Sequence, residues 1–279
     1  MKPAPFTYHA PASLAEALRL LGSLENARAL AGGQSLMPML NFRVAAPDHL
    51  VDLNRISELA FIKETDGVIA IGAMTRQRDI EKSELVARQL PLLAEAMPQV
   101  GHRQTRNRGT IGGSLAHFDP AAELPAVATA YDAELLVQSS EGTRRLRMSE
   151  FGKGALTTAL EPGELITEVR LRPWPQGHRY AFMEFARRHG DFAIASAAVL
   201  LEMKGKGVAR VSLTLGGVTT TPIRVTATET ALLNKEPIPE AVRHCGELEA
   251  LEDPIYPAWY RQKLAVTLAR RALERAMAR

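Results

Sequence analysis

Two glycine pairs, in Ala31-Gly32-Gly33-Gln34-Ser35 and Thr110-Ile111-Gly112-Gly113-Ser114, constrain this chain more than any other feature. Each pair is followed by small or polar hydrogen-bonding residues, and each follows a stretch that reads as a strand or tight turn. Glycine adopts positive φ without steric cost and lets backbone N–H groups approach a ligand closely. Successive N–H groups in such turns make a concave anion site suited to phosphate or pyrophosphate. One loop of this kind reads equally well as a plain tight turn. Two of them, with Gly33 and Gly113 lying 80 positions apart, point to a dinucleotide gripped from both sides.

The 279 residues leave room for one large domain or two to three small ones. With 46% hydrophobic and 23% charged residues the composition is that of a globular protein. A net charge of +3 is far from the concentrated positive field of a nucleic-acid binder. The single cysteine, Cys245, excludes an internal disulfide and a cluster held by four cysteines. The opening Met1-Lys2-Pro3-Ala4-Pro5-Phe6 lacks the apolar core of a signal peptide. No apolar run reaches the roughly 20 residues that span a bilayer. These features predict a cytoplasmic chain with no membrane span. No G-x-G-x-x-G follows a strand and no phosphate-binding G-x-x-x-x-G-K-[ST] occurs. H-E-x-x-H, His/Cys clusters at metal spacing and the G-x-S-x-G elbow are also missing, which argues against metal and hydrolytic chemistry.

Periodicity predicts a helix over 13–21, with Ser13 and Glu16 as a capping box and Gly22 as the stop. Strands are predicted at 27–30, 49–53 and 68–73, and a helical stretch at 80–97 that Pro91 kinks or divides. The second glycine pair follows a basic turn at 102–108. A helix at 121–130 and strands at 134–138 and 164–171 come next. Pro173, Pro175 and Gly177 read as a linker. Beyond it, strands at 180–186, 193–203 and 209–216 are joined by tight connections such as Lys204-Gly205-Lys206-Gly207, and the tail from 259 to 279 is helical.

The segment Asn107-Arg108-Gly109-Thr110-Ile111-Gly112-Gly113-Ser114, running on to Asp119-Pro120-Ala121-Ala122-Glu123, is long and idiosyncratic. With the first glycine pair, it resembles the FAD-binding medium subunit of molybdenum hydroxylases, the xanthine dehydrogenase and aerobic carbon monoxide dehydrogenase family. The likeness extends to Phe6-Thr7-Tyr8-His9-Ala10-Pro11, to Leu36-Met37-Pro38-Met39-Leu40-Asn41-Phe42-Arg43 and to Val51-Asp52-Leu53-Asn54-Arg55-Ile56. It includes Glu164-Leu165-Ile166-Thr167-Glu168-Val169 and Arg187-Arg188-His189-Gly190-Asp191-Phe192-Ala193. The chain departs from the family pattern at Gln34 (often His), Ser114 (usually Asn), Phe118 (commonly Ala) and Glu123 (usually Asp).

The resemblance implies an α/β fold, α+β overall. Two small α/β lobes at 1–57 and 58–174 form an FAD-binding unit of the PCMH type. A C-terminal α+β domain at 178–279 carries a three-stranded sheet and helices. It implies non-covalent FAD, its pyrophosphate cradled by Leu30, Ala31, Gly32, Gly33, Gln34, Ser35 and Leu36. From the other side come Gly109, Thr110, Ile111, Gly112, Gly113 and Ser114, mainly through backbone N–H groups. Val100 and Gly101 match backbone near the cofactor, and Leu165 a position near the adenine. Glu123 matches an acceptor for a ribose or adenosine hydroxyl, with a plain helix-start carboxylate as the other reading. Phe192 matches the residue that covers the flavin ring, or is an ordinary buried aromatic. Arg103, Arg106 and Arg108 read as a solvated turn, as an offset to the phosphates or as a partner contact. His102 and His117 read as flavin neighbours or as ordinary satisfied polar residues. Arg261, Lys263, Arg270 and Arg271 read as surface or interface.

The resemblance also implies partners: a large molybdopterin-binding subunit and a small [2Fe–2S] subunit, as a dimer of heterotrimers. Electrons would then pass through FAD to quinone, NAD or oxygen. Two rivals stand beside it. One is a stand-alone flavin oxidase or reductase, although no His or Cys tether lies within the loops. The other is an assembly protein that has lost the cofactor.

Overall fold

A computed structural model of the chain describes residues 1–205 and 207–279. The first sheet is parallel, in the order β1 (Thr7–His9), β3 (His49–Asp52), β2 (Ala27–Leu30). Helix α1 (Leu14–Ser23) links β1 to β2 and buries Ala17 and Leu18 against Val51 and Leu53. Ser13 caps it by accepting from the Glu16 N–H. The Glu16 carboxylate turns to the Ala12 N–H instead, so the predicted capping box forms by half, and the helix runs one residue past Gly22. The first glycine segment joins β2 to α2 (Leu36–Asn41).

The second sheet is antiparallel throughout: β4 (Ile62–Thr65), β5 (Val68–Gly72), β10 (Leu165–Leu171), β6 (Glu134–Gln138), β7 (Thr143–Arg147). The helical stretch predicted at 80–97 is three helices, α3 (Gln77–Lys82), α4 (Glu84–Gln89) and α5 (Pro91–Ala96). Ser83 caps α4 by accepting from the Val86 N–H, and Pro91 occupies the first turn of α5, where its missing N–H costs nothing. There follow α6 (Arg103–Arg108), α7 (Ile111–His117), α8 (Glu123–Ala130), α9 (Met148–Phe151) and the small ladder of β8 (Gly152–Gly154) with β9 (Thr157–Thr158).

The third sheet is antiparallel, β11 (Arg179–Phe185), β12 (Ala195–Lys204), β13 (Gly207–Gly216), with a short fourth strand β14 (Ile223–Arg224) beyond the three predicted. Within the predicted Lys204-Gly205-Lys206-Gly207 connection, Lys206 lies outside the described residues. Alternation along the strands splits the sheet between two cores. Phe182, Ala198 and Leu200 join the core of the second sheet and helices α3 to α5 and α7 to α9. Ala197, Val199, Leu201 and Leu213 pack against α10 (Thr226–Leu233), α11 (Ile238–Ala241) and α12 (Ala258–Met277). Among the described residues no helix is long and apolar enough to cross a membrane.

Candidate functional site

The two glycine segments, far apart in sequence, touch. A Cβ on Gly32 would overlap the Arg108 carbonyl and the Gly109 backbone, so only glycine lets the strands close on each other. A Cβ on Gly113 would lie 3.4 Å from that of Ala31. Gly33 sits at φ +73°, the left-handed region that glycine enters freely. Beyond it, none of the backbone N–H groups of residues 32–36 donates to a protein acceptor among the described residues. Five successive unpartnered donors stand beside a cleft of about 440 Å³ lined by Leu30, Ala31, Gly32, Gly33, Gln34, Asn54 and Arg108. The Ser35 side chain makes no cap bond to α2.

The second segment behaves differently. It is the start of a helix and not a loop: Thr110 caps α7, its Oγ1 accepting from the Gly113 N–H at 3.0 Å. The Ile111 N–H donates to Thr75 O, Gly112 to Ala73 O and Ser114 to Thr110 O. Those N–H groups are therefore occupied, and the first segment is the one with donors to offer. Gly112 is glycine because a Cβ there would overlap Ala73 at the end of β5.

A polar clamp fixes the distance between the segments. Arg76 donates through Nη1 to the Arg108 carbonyl and through Nη2 to Asn54 Oδ1, both at 2.5 Å. Asn54 Nδ2 in turn donates to the Ala31 carbonyl at 3.0 Å. Asp52 accepts from the Asn54 N–H and from the Tyr8 hydroxyl. Burial, then the neighbouring Arg108, lowers the Arg76 guanidinium from its usual value. Two cations beside the cleft would interact favourably with a bound anion.

Val100 and Gly101 are held from behind. Arg106 is buried, its Nη1 donating to the Val100 carbonyl at 3.1 Å, to Gly101 at 2.9 Å and to Pro98 at 3.3 Å, while its Nε meets Glu81 at 2.8 Å. Of the arginine cluster, read as a solvated turn, an offset to the phosphates or a partner contact, only Arg103 and Arg108 are exposed. The ring of His102 stands under Gly190, where a Cβ would strike it, so the 187–192 turn rests on this segment. His117 is half-buried.

Phe192 is 63% exposed, not a buried aromatic, and forms a wall of a smaller cavity of about 220 Å³ with Pro120, Ala121 and Tyr256. Arg261, expected at the surface or an interface, is buried within the chain. It donates to the carbonyls of Ile194, just before β12, and Gly217, just after β13, at 2.6 and 2.7 Å, and to Asp253 at 2.5 Å. Leu165 is buried beside Ala17 and Val51. Glu123 is buried as the first residue of α8. Burial, reinforced by Glu184 and Asp119 and opposed by Arg106, pushes its carboxyl up to about 8.

Residues 4–174 match the family model described as FAD binding domain in molybdopterin dehydrogenase. Residues 180–276 match that of the CO dehydrogenase flavoprotein C-terminal domain. This chain belongs to the molybdenum hydroxylase flavoprotein family. It is 39% identical to the carbon monoxide dehydrogenase medium chain of Hydrogenophaga pseudoflava, covering 100% of this chain and 99% of that one. It is 42% identical to the 6-hydroxypseudooxynicotine dehydrogenase complex subunit alpha of Paenarthrobacter nicotinovorans, covering 100% and 97%. A solved carbon monoxide dehydrogenase chain from Oligotropha carboxidovorans superposes with a TM-score of 0.97 at 40% identity, each chain covered in full. The chain is thus an oxidoreductase component, the FAD-binding medium subunit of a molybdenum hydroxylase.

The residues present fit FAD. A dinucleotide pyrophosphate needs donors without a Cβ in the way, and the flavoprotein offers unpartnered N–H groups beside a seam that a Cβ at Gly32 would prise open. Sequence reasoning missed Arg76, Asn54 and Glu81. Asn54 stood inside a stretch that carries the family likeness, whereas Arg76 and Glu81 carry no motif and act through carbonyls and ion pairs set by the fold.

Proposed function

We propose that this subunit binds FAD non-covalently along the seam between the two glycine segments and relays electrons from [2Fe–2S] clusters of a small partner to an external acceptor. The observation that carries the reading is the run of five unpartnered N–H groups at residues 32–36 on a glycine-closed seam. Residues 30–36 hold the pyrophosphate through those donors, and the Arg76 and Arg108 cations balance its charge. The hydroxyls of Thr110 and Ser114 add bonds from the far side. Val100 and Gly101 present backbone to the cofactor, Leu165 lies toward the adenine, Glu123 meets a ribose or adenosine hydroxyl, and Phe192 covers the ring system. When bound, FAD supplies the redox chemistry, exchanging electrons singly or in pairs. Lobes at 1–57 and 58–174 grip it, and the unit at 178–279 brings Phe192.

The complex is completed in the cytoplasm by a large molybdopterin-binding subunit and a small [2Fe–2S] subunit, as a dimer of heterotrimers. Its acceptor is quinone, NAD or oxygen. The substrate of the complex belongs to the large partner.

The purified chain, incubated with FAD and desalted, is expected to show flavin absorbance at close to one flavin per chain. Acid precipitation should release that flavin into the supernatant. A spectrum without flavin bands rejects the reading, and flavin retained in the pellet rejects the non-covalent mode. Arg76→Lys keeps the charge but cannot bridge the Arg108 carbonyl and Asn54 together. It is expected to weaken FAD binding about tenfold, roughly 1.4 kcal/mol, by quenching of flavin fluorescence; unchanged affinity would show that the clamp has no part in binding.

A further inference from the structure

An acidic cluster lies apart from the glycine seam. Cross-strand partners in an antiparallel sheet share a face, and Glu184 pairs with Ser196 while Ser196 pairs with Gly216. These three residues form a row across β11, β12 and β13, with Thr214 two positions back on the same face of β13. Helix α8 lies over that face. The Ser212 hydroxyl donates to the Ala130 carbonyl at 2.8 Å, a Cβ on Gly216 would lie 3.2 Å from that of Ala126, and the Gly217 N–H donates to Pro120 O at 2.6 Å. Glu123 stands on the same side of α8 as Ala126 and Ala130, at i, i+3 and i+7. The direction of the helix therefore brings it to the end of the sheet where Glu184 and Ser196 are.

This corner is polar and has no counter-charge of its own. Ser196 Oγ, Thr214 Oγ1 and Glu184 Oε2 are all buried without a hydrogen-bond partner. Buried polar atoms are ordinarily satisfied, and an enclosed group of them is where an internal water belongs. No ion pair among the described residues includes Glu123 or Glu184. The charged groups that reach Glu123 are Glu184, Asp119 and Arg106. Arg106 is already committed to Glu81 and three carbonyls. Two carboxyls, Glu123 buried and Glu184 half-buried with its Oε2 enclosed, that share one site without a cation of their own disfavour ionising together.

We propose that Glu123, Glu184, Ser196 and Thr214 enclose a buried water site that stores one proton between the two carboxyls. The proton comes from solvent, binds a carboxylate oxygen and is bridged through water to the second carboxyl and the two hydroxyls. Burial raises Glu184 to about 7 as well, so the store exchanges its proton near neutrality. Its position rests on the preceding reading. Glu123 follows Pro120 and Ala121, and Glu184 precedes the turn that carries Phe192, so the proton is kept beside the ring end of the cofactor.

Infrared difference spectra of the full chain, stripped of FAD and titrated from about pH 6 to 10, test this directly. The expected result is a protonated-carboxyl C=O band near neutral pH that shifts in D2O and vanishes at high pH. Glu123→Gln should remove the component that titrates at the higher pH and leave only that of Glu184, and Glu184→Gln should move the remaining titration midpoint down by about one pH unit or more, a tenfold change. Ser196→Ala should shift the band frequency by deleting a hydrogen bond, and as a small deletion it keeps the test available if a carboxyl variant does not fold. No such band in the wild-type chain, or a band that none of the substitutions moves, overturns the proposal. Since the spectra need no flavin, a chain that never binds FAD rejects the preceding reading while the band still decides this one.

Discussion

Gly33→Val is expected to give a folded chain that no longer retains FAD. The backbone at residue 33 has φ +73°, and a β-branched residue there meets both the general cost of the left-handed region, roughly 1–2 kcal/mol, and crowding from Met37 and Leu30 at 3.2 and 3.3 Å. The loop can relieve that strain only by rotating φ to negative values. Doing so turns the N–H groups of the following residues away from their common focus. Hydrogen bonds from these donors to a charged phosphate are worth roughly 1.5–3 kcal/mol each, so losing two weakens binding on the order of a thousandfold. Gly67→Val is the matched control. Gly67 has φ +71° and nothing within 4 Å of its added Cβ, so valine there carries the same backbone strain in an open turn far from the seam. The check is flavin absorbance per chain after desalting, beside a thermal melt of both variants. Equal flavin in Gly33→Val and wild type would show that the 32–36 donors do not hold the cofactor.

What could be read in the sequence follows from what each feature depends on. Strands β3, β5, β6 and β10 were legible to within a residue or two because they are interior and their apolar residues run unbroken or alternate, and β2, although at an edge, because its Ala27, Ala29 and Leu30 lead into the glycine pair. Three edge strands, β1, β4 and β7, were not. Thr7-Tyr8-His9, Ile62-Lys63-Glu64-Thr65 and Thr143-Arg144-Arg145-Leu146-Arg147 are short or charged, which suits an edge that must not recruit another strand. The glycine pairs were legible as a site because their geometry admits no other residue, yet their division of labour was not. Whether the N–H groups of α7 are free depends on Ala73 and Thr75, nearly forty positions upstream, and only the fold brings those carbonyls to them. Arg76, Asn54 and Arg106 were illegible in role for the same reason. A side chain that binds backbone carbonyls leaves no partner residue type to look for.

Arg106 tests that last point most severely. Arg106→Met preserves much of the side-chain volume while deleting the guanidinium, and it is expected to destabilise the chain by about 3 kcal/mol or more. The carbonyls of Pro98, Val100 and Gly101 lose their shared donor, and Glu81 keeps only its 2.7 Å contact with Arg78. pH supplies a second readout with a definite sign. Burial alone pushes the Glu81 carboxyl up, but its bonds to Arg106 and Arg78 outweigh this and hold it below the ordinary carboxylate value. A carboxyl lowered by folding contributes stability above its unfolded pKa and loses it as pH falls through the folded one. The wild-type chain is therefore expected to lose more stability between about pH 5 and pH 3 than Arg106→Met does. Chemical denaturation at the two pH values measures both effects. Because Gly101, at φ +50°, and Val100 belong to the segment expected to face FAD, the same variant should also bind flavin more weakly at pH 7, where it is still folded. Full stability and full affinity in Arg106→Met would mean that the segment holds its shape unaided and that this buried cation is merely tolerated.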